Sequence, residues 1–322
     1  MENTVCGRIS EIQKNTFYIK YEQRELAAKL KGSFYNEGKE PPVVGDYVDF
    51  QYNPQGESVI VNVQKRSSVL KRPDFFHIST NMEQTMCANF DYAFIVASLN
   101  DNYNFNRIAR YVSITLQGGG IPVVILTKAD ICNNPGRFIT EIESLSDKVK
   151  VHTISALYGI GLGELEEYLQ PGKTIALIGS SGVGKSTLVN ALMGEDIMKT
   201  SAIREDDSKG RHTTTHRQLM ELPSGAVIID TPGMREIGMC DVDEGIDETF
   251  DDIKELESHC RFSDCKHDTE PGCAVKAAIE SGNLTVERLS LYQSLHDESS
   301  KAAKMKKISQ QRKALNKGRK CL

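Results

Sequence analysis

Residues 179–186 read Gly-Ser-Ser-Gly-Val-Gly-Lys-Ser, which fits the phosphate-loop pattern G-x-x-x-x-G-K-[ST]. An apolar run from Thr174 to Ile178 precedes this stretch, and a helix-like run from Ser186 to Met193 follows it, so the loop is predicted to join a strand to a helix. Glycines let backbone N–H groups surround phosphate oxygens, and the helix N-terminus adds a favourable partial charge. The stretch therefore predicts an α/β domain that binds a nucleoside triphosphate.

Each residue of this loop and of the first helical turn has a predicted role at the nucleotide. Lys185 is expected to reach the β- and γ-phosphates, and the Ser186 hydroxyl is expected to coordinate a Mg²⁺ ion that accompanies the nucleotide. The predicted phosphate contacts are Gly179, Ser180, Ser181, Gly182, Val183, Gly184, Lys185, Ser186 and Thr187.

Two short segments before the loop indicate that the base is guanine. Residues 127–130, Thr-Lys-Ala-Asp, end an apolar run and are a variant of the Asn-Lys-x-Asp motif of GTPases. The Asp130 carboxylate can accept from the guanine ring N–H and the exocyclic amine together, a donor pair that adenine lacks. Residues 153–156, Thr-Ile-Ser-Ala, match the loop that supports the base edge. The predicted base contacts are Thr127, Lys128, Ala129, Asp130, Ser155 and Ala156.

Two further segments are expected to respond to the γ-phosphate. Residues 230–233, Asp-Thr-Pro-Gly, fit the Asp-x-x-Gly motif, in which Asp230 holds Mg²⁺ through water and the Gly233 N–H contacts the γ-phosphate. Residues 210–215, Gly-Arg-His-Thr-Thr-Thr, lie where a switch threonine would ligate Mg²⁺. The sequence leaves open which of the three threonines does so, and position favours Thr214 or Thr215.

The order of these motifs differs from that of ordinary GTPases. The guanine-reading segments at 127–130 and 155–156 come before the phosphate loop, whereas ordinary GTPases place the phosphate loop first. Joining the original termini and opening a loop elsewhere produces such an order, and compact domains tolerate that change. The sequence thus predicts a circularly permuted GTPase domain whose chain leaves the catalytic half directly after Gly233.

A separate patch concentrates metal ligands. The spacing Cys-x4-Cys-x-His-x5-Cys places Cys260, Cys265, His267 and Cys273 within fourteen residues. Three thiolates and one imidazole suit a closed tetrahedral site, so we predict one structural zinc ion and no open position for catalysis.

Composition limits the remaining possibilities. No apolar run approaches the length of a membrane span, and the first residues lack the layout of a signal peptide, so a cytoplasmic protein without membrane contact is expected. In that compartment, the eight cysteines of the chain are expected to be reduced or bound to metal rather than paired in disulfides. The net charge is −5, but nine lysines and arginines and no acid lie in residues 301–320, so the rest of the chain carries about −14. A basic tail on an acidic body suggests either a polyanionic partner or simply a solvated helix end.

The pattern along the chain predicts three domains. Short alternating segments (Thr16–Tyr21, Tyr47–Tyr52, Ser58–Val63) predict an N-terminal all-β barrel, of OB type or SH3-like, over residues 1–72, with a linker from Lys65 to Asp74. Alternating strands and helices predict the α/β GTPase domain over 73–239. Helical, charged sequence with the metal patch and the tail makes up 240–322.

Taken together, the chain resembles the bacterial ribosome small-subunit-dependent GTPase A family of circularly permuted GTPases. The resemblance covers nearly the whole chain: the barrel, the permuted motif order, residues 210–215 and the metal patch. It implies an OB-fold that contacts ribosomal RNA, a zinc module that docks on the small ribosomal subunit, and a monomeric protein that binds GTP and GDP. It further implies GTP hydrolysis that the small subunit stimulates during its late maturation.

The motifs do not include the residue that usually orients the attacking water in a GTPase. Met234 follows Gly233 where Ras-like enzymes place a glutamine that orients water, and by the resemblance His212 is the candidate replacement. A neutral imidazole can accept from the attacking water. The predicted catalytic residues are His212, Thr214, Thr215, Asp230 and Gly233.

Two other classes compete with a GTPase assembly factor. One is an RNA-binding structural protein whose nucleotide site acts only as a latch that the ligand controls. Measurement of GTP turnover with and without small subunits would distinguish this protein from a GTPase. The other is a phosphate-loop ATPase, which the Thr-Lys-Ala-Asp segment disfavours and which competition with ATP would test.

Overall fold

The structure is a computed structural model that describes residues 4–32, 34, 40–73, 83–198, 217–231 and 239–319. Over these ranges the chain forms a β-barrel, a two-stranded sheet, an α/β domain and a set of C-terminal helices, which confirms the predicted fold class. Within the same ranges, no helix combines the length and the apolar character that crossing a bilayer requires.

The N-terminal barrel has five strands: β1 (Thr4–Gln13), β2 (Thr16–Tyr21), β3 (Arg24–Leu30), β4 (Tyr47–Gln51) and β5 (Ser58–Val63). Their order is β1-β2-β3-β5-β4, and pairing of β1 with β4 closes the barrel. The β3–β5 pair is parallel and the other pairs are antiparallel, which matches an OB-type barrel. Alternation along the strands buries Ile9, Ile19, Phe50 and Ile60 in its interior.

A two-stranded antiparallel sheet follows the barrel, formed by β6 (Val69–Pro73) and β7 (Glu83–Ala88). The prediction of a linker from Lys65 to Asp74 is therefore wrong over Val69–Pro73. The reason is that β6 pairs with residues 10 to 19 positions further along the chain, and polar residues such as Lys71 and Arg72 concealed its β character. The expected domain boundary after residue 72 falls inside this strand.

The α/β domain consists of β8 (Tyr92–Ser98), α1 (Phe105–Gln117), β9 (Ile121–Thr127), α2 (Gly136–Glu143), β10 (Lys150–Thr153), β11 (Thr174–Ile178), α3 (Lys185–Met193), β12 (Gln218–Glu221) and β13 (Val227–Asp230). The strand order is β10-β9-β8-β11-β13-β12, with β12 antiparallel and the others parallel. Fully buried strands such as β11 explain the continuous apolar runs of the sequence. The carboxyl ends of the parallel strands share one edge, where ligands of such sheets bind.

The C-terminal helices are α4 (Asp243–Thr249), α5 (Asp251–Ser258), α6 (Ala274–Glu280) and the long α7 (Val286–Arg319). Arg288 on α7 attaches them to the α/β domain. Its guanidinium donates to both carboxylate oxygens of Asp252 at 2.8 and 2.6 Å, and to the Ser144 and Leu145 carbonyls at 2.6 and 3.1 Å. One side chain therefore holds α5, α7 and the end of α2 together.

The barrel sheet and the α/β sheet are continuous through their backbones. Strand β1 pairs with β12 at Glu11 and Gln218, so the eleven strands form one sheet. Lys20 on β2 adds an ion pair with Glu221 on β12 at 3.3 Å, although both side chains are well exposed and contribute little. Since β12 begins three residues after the switch segment 210–215 predicted from the sequence, the barrel is paired with the strand that follows that segment.

Arg8 forms a second connection between the two parts. Its guanidinium donates to the Gly45 carbonyl at 3.2 Å, the Asn89 carbonyl at 2.8 Å and the Thr174 hydroxyl at 2.9 Å. Burial lowers the pKa of Arg8, and neighbouring groups such as Tyr47 and Asp91 oppose that effect. Because Thr174 begins β11, the barrel is attached to the start of the strand that carries the phosphate loop.

Candidate nucleotide and metal sites

The phosphate loop joins β11 to α3 as the sequence predicts. Gly179 has a φ of +152° and lies so close to the Val96 carbonyl that a Cβ would approach it within 2.5 Å, so glycine is required there. Lys185 Nζ donates to the Gly179 and Ser180 carbonyls, both at 2.7 Å, which holds the ammonium inside the loop. The loop thus presents one cation and a helix N-terminus at the carboxyl edge of the sheet.

Asp230 ends β13 next to this loop and is buried. Its Oδ1 atom has no hydrogen-bond partner, and burial raises the pKa of the carboxyl, an effect that Lys185 and the Thr231 backbone oppose. Burial likewise lowers the pKa of Lys185, with Asp230 opposing. A buried carboxylate oxygen without a partner is suited to a hard divalent cation or its water ligand, so Asp230 and the Ser186 hydroxyl fit the predicted Mg²⁺.

At the other end of the site, the predicted base contacts lie together. The Ser155 hydroxyl donates to Asp130 Oδ1 at 2.5 Å, and the Ala129 N–H donates to the Ile154 carbonyl at 3.1 Å. Lys128 has a left-handed φ of +59°, which turns the chain sharply between β9 and the 3₁₀ turn at Ala129–Ile131. These contacts orient the Asp130 carboxylate before any ligand arrives.

Thr127 connects the two ends. Its buried hydroxyl donates to the Val183 carbonyl in the phosphate loop at 2.6 Å, and its side chain also lies against Gly184. The sequence placed Thr127 in the base motif but assigned its hydroxyl no role. The structure shows that this hydroxyl fixes the distance between the base-reading segment and the phosphate loop.

Arg107 was missed by sequence reasoning. At the start of α1, its Nη1 donates to the Ser180 hydroxyl at 3.1 Å, and Asn102 Nδ2 donates to the same oxygen at 3.4 Å. Only the position of these residues after a parallel strand could have suggested proximity to the loop. The predicted His212, Thr214, Thr215 and Gly233 lie outside the described residues.

The cysteine and histidine ligands of the metal patch converge. The ligand atoms of Cys260, Cys265, His267 and Cys273 all lie within 4.8 Å of one another. His267 Nδ1 is 3.7 Å from Cys260 Sγ and 3.4 Å from Cys273 Sγ, and the two sulfurs are 3.9 Å apart. Tetrahedral zinc with ordinary bond lengths requires about 3.8 Å between sulfurs and about 3.6 Å between sulfur and nitrogen. The cluster can hold a metal ion, and its spacings fit zinc.

Glu257 is a second residue that sequence reasoning missed. Its Oε1 atom lies 3.0 Å from His267 Nε2, and its Oε2 accepts from the Tyr292 hydroxyl at 3.2 Å. Donation from Nε2–H to Glu257 leaves Nδ1 as the free ligand nitrogen, which faces the sulfurs. Glu257 was hidden in an acidic run, and its closeness to Cys260 in sequence was the available signal.

Similarity to known proteins identifies the family of this chain. Residues 63–240 match the RsgA GTPase family. The chain belongs to this family of GTP hydrolases. It is 44% identical over 283 residues to the small ribosomal subunit biogenesis GTPase RsgA 2 of Listeria monocytogenes, covering 87% of this chain and 80% of that protein. It is 42% identical over 309 residues to the small ribosomal subunit biogenesis GTPase RsgA of Methanosarcina acetivorans, covering 96% and 83%.

Solved structures agree in fold. The YjeQ crystal structure from Thermotoga maritima superposes with a TM-score of 0.68 at 27% identity, over 91% of this chain and 97% of that one. YloQ, described as a circularly permuted GTPase, superposes with a TM-score of 0.65 at 23% identity, over 92% and 96%. The family assignment and the permuted domain predicted from the sequence are therefore confirmed.

Proposed function

We propose that this RsgA-family GTPase acts in late maturation of the small ribosomal subunit, and that the subunit stimulates its GTP hydrolysis. The relatives named above carry small ribosomal subunit biogenesis in their names. The observation that best supports binding of a guanine nucleotide concerns Thr127. Its hydroxyl connects the segment that carries the hydrogen-bonded Asp130 and Ser155 to the phosphate loop. In this arrangement a guanine nucleotide spans both ends of one preorganised site.

Within this proposal each predicted contact has a task. Asp130 and Ser155 read guanine, Lys185 and the loop N–H groups bind the phosphates, and Asp230 with Ser186 holds Mg²⁺. The magnesium ion would neutralise charge that develops on the phosphate oxygens during transfer. The chain's own residues position the nucleotide, and positioning is the main source of catalysis in phosphoryl transfer.

Zinc has a structural role in the proposal. Four ligands leave no open coordination position, and His267 is already oriented by Glu257. We infer one zinc ion per chain, bound by Cys260, Cys265, His267 and Cys273, in a cytoplasmic and monomeric protein.

Ribosomal RNA is the proposed macromolecular contact. On the barrel, Tyr47 and Tyr52 are 41% and 36% exposed, and exposed aromatic rings can stack on unpaired bases. On α7, Lys301, Lys304 and Lys307 are exposed. These features supply stacking surface and positive charge on an otherwise acidic chain.

The deciding experiment measures multiple-turnover GTP hydrolysis alone, with isolated small subunits and with isolated large subunits. Stimulation of about tenfold or more by small subunits alone is expected, because phosphoryl transfer depends on positioning and on charge stabilisation that the docked subunit would supply. Equal rates in all three reactions would favour the latch alternative, in which nucleotide controls binding without useful turnover.

A single variant tests the proposed water-orienting residue. His212→Ala should keep GTP affinity and small-subunit binding while losing about 10²–10⁴-fold of the stimulated rate. If His212→Ala keeps full stimulation, the ribosome rather than this imidazole orients the water.

The tail is tested separately by truncation. Ser299 and Ala302 are buried, and Lys306 donates to Asp241 at 2.5 Å, so removal of everything after Asp297 would damage α7 packing. Ending the chain after Ile308, which is exposed, avoids this damage. A smaller dependence of subunit binding on salt is expected, and an unchanged dependence would show that the last residues are a solvated end.

A further inference from the structure

Arg107 and Asn102 both bind one hydroxyl group of the phosphate loop. Arg107 Nη1 donates to Ser180 Oγ at 3.1 Å, and Asn102 Nδ2 donates to the same oxygen at 3.4 Å. Arg107 Nη1 also donates to Asn102 Oδ1 at 3.3 Å, so the three side chains form a closed ring of hydrogen bonds. We call this ring the Ser180 clamp.

The clamp connects the phosphate loop to the start of helix α1. Arg107 lies in the first turn of α1, and its backbone N–H donates at 2.8 Å to the Asn104 side chain that caps the helix. Ile108 and Tyr111 of the same helix are buried, and both line the narrow cleft between α1 and the loop. A capped and packed helix start moves little, so the guanidinium is attached to a firm part of the domain.

The clamp uses an arginine that has no acidic partner. Within the described ranges Arg107 takes part in no ion pair, whereas Arg66, Arg110 and Arg288 each bind a carboxylate. The side-chain acceptors of Arg107 are the Ser180 hydroxyl and the Asn102 amide oxygen. Its contact with the phosphate loop is therefore not a by-product of an ion pair made elsewhere.

The phosphate loop is rich in glycine and needs support of this kind. Gly179, Gly182 and Gly184 have positive φ angles of +152°, +77° and +97°. Glycine adopts such conformations without strain, but it has many others available, so ordering the loop costs more entropy than ordering a loop of other residues. Contacts that hold the loop in its phosphate-binding shape before a ligand arrives reduce this cost of binding.

Contacts inside and outside the loop differ in what a nucleotide would do to them. Lys185 Nζ donates to the Gly179 and Ser180 carbonyls from inside the loop, and this ammonium is the group expected to bind the phosphates. The clamp holds the Ser180 side chain, which is 7% exposed, while the next two residues of the loop are exposed. The clamp therefore leaves the exposed side of the loop free for a phosphate.

We propose that Arg107 is a positioning residue for the phosphates of guanine nucleotides, and that it acts through the Ser180 hydroxyl. The clamp keeps the loop in the shape whose N–H groups converge on a phosphate. If only a fraction of the molecules has that shape, the apparent dissociation constant rises by the inverse of the fraction. The inference rests on the nucleotide site proposed above, and it adds a residue from outside the phosphate-loop motif.

The first experiment compares binding of GDP and GMP, because the phosphate loop surrounds the β-phosphate, which GMP lacks. Arg107→Met should weaken GDP binding by about five- to tenfold, the effect of about one hydrogen bond, and should leave GMP affinity within about twofold of wild type. Arg137→Met removes an exposed arginine of α2 and should bind both nucleotides as the wild type does. Unchanged GDP affinity of Arg107→Met, or equal losses of GDP and GMP affinity, would overturn the proposal.

The second experiment tests the route through Ser180. Ser180→Ala removes the acceptor of the clamp, so it should weaken GDP binding by about the same factor, and the double variant with Arg107→Met should bind GDP no more weakly than either single variant. Multiplied losses in the double variant would show that Arg107 acts without Ser180 and would refute the proposal. Ser180→Ala alone repeats the comparison of GDP with GMP if Arg107→Met does not fold, and unchanged GDP affinity would again refute it.

Turnover provides a readout that a general loss of structure would not reproduce. The loop binds the phosphates alike in the ground state and in the transition state, so Arg107→Met should raise KM for GTP and leave kcat within about twofold of wild type. A lower kcat with an unchanged KM would contradict positioning by the loop. Failure of the wild type to bind GDP would refute the proposed nucleotide site together with this inference, whereas equal GDP binding by wild type and all variants would refute this inference alone.

Discussion

The nucleotide site and the zinc-type cluster assemble over very different lengths of chain. Asp130, Ser155, Lys185 and Asp230 come from the ends of four strands or the loops that follow them, and they meet only because the sheet has one strand order. Cys260, Cys265, His267 and Cys273 meet within fourteen residues. The nucleotide site therefore depends on the register of the whole domain, whereas the cluster depends on its own loop and on Glu257.

The comparison predicts that damage to the cluster stays local. Cys265→Ser removes one of four thiolate or imidazole ligands, so zinc affinity should fall by more than the roughly 100-fold that changes around a site produce. GTP affinity should stay within about twofold, since the α/β domain has its own core. Metal analysis and nucleotide titration on the same sample check both. Loss of GTP binding together with zinc would show that the two sites are not independent.

The next effect concerns the base end of the nucleotide site. Asp130→Asn should weaken GTP binding by about 30-fold to 900-fold, because an amide cannot accept from both guanine donors, a loss of about 2–4 kcal/mol. The same variant should bind xanthosine triphosphate better, since the carbonyl at ring position 2 accepts from the new amide. Zinc content is the control and should not change. Equal GTP affinity of variant and wild type would remove Asp130 from the base site.

A smaller effect is expected around the cluster. Glu257→Gln keeps the shape of the side chain but weakens the hydrogen bond that orients His267, so zinc affinity should fall about 10–100-fold. Competition with a chelator measures this change. Glu255→Gln is the matched control, because Glu255 is on the same helix, is exposed and, among the described residues, has no side-chain hydrogen bond to the ligands. Identical chelator curves for both variants would show that Glu257 does not support the metal.

The smallest expected effect tests the connection inside the nucleotide site. Thr127→Val removes the hydrogen bond to the Val183 carbonyl, which should cost about 1 kcal/mol, or about fivefold in GTP affinity. Thr115→Val removes an equally buried hydroxyl whose bond to Tyr111 lies within α1, so it should alter stability but not GTP affinity. An unchanged GTP affinity for Thr127→Val would mean that the base-reading segment and the phosphate loop keep their positions without this hydrogen bond.

The sequence predicted the α/β domain well because its signals are local. The apolar run at Thr174–Ile178 matches β11 residue for residue. In contrast, β3 was missed. Its sequence, Arg-Glu-Leu-Ala-Ala-Lys-Leu, contains strong helix formers, and pairing with β2 and β5 overrides that preference.

Within the site, motifs identified the residues but not the contacts between them. Nothing in the sequence assigns the Thr127 hydroxyl to Val183, or Arg107 to Ser180, because these contacts join segments more than fifty residues apart. The pairing of β1 with β12 is unpredictable for the same reason. Spacing along the chain was sufficient to predict which residues meet only in the cysteine and histidine cluster, and even there it did not indicate Glu257.

The order of strands has a consequence for the growing polypeptide. Strands β8, β9 and β10, which carry the base-reading segments, are synthesised before β11, and β11 has β8 on one side and the later β13 on the other. During translation, β11 therefore has an unpaired edge until residue 230 has emerged. Guanine nucleotide and magnesium can then assist folding only late in synthesis, after the barrel and the base-reading half have already formed without them.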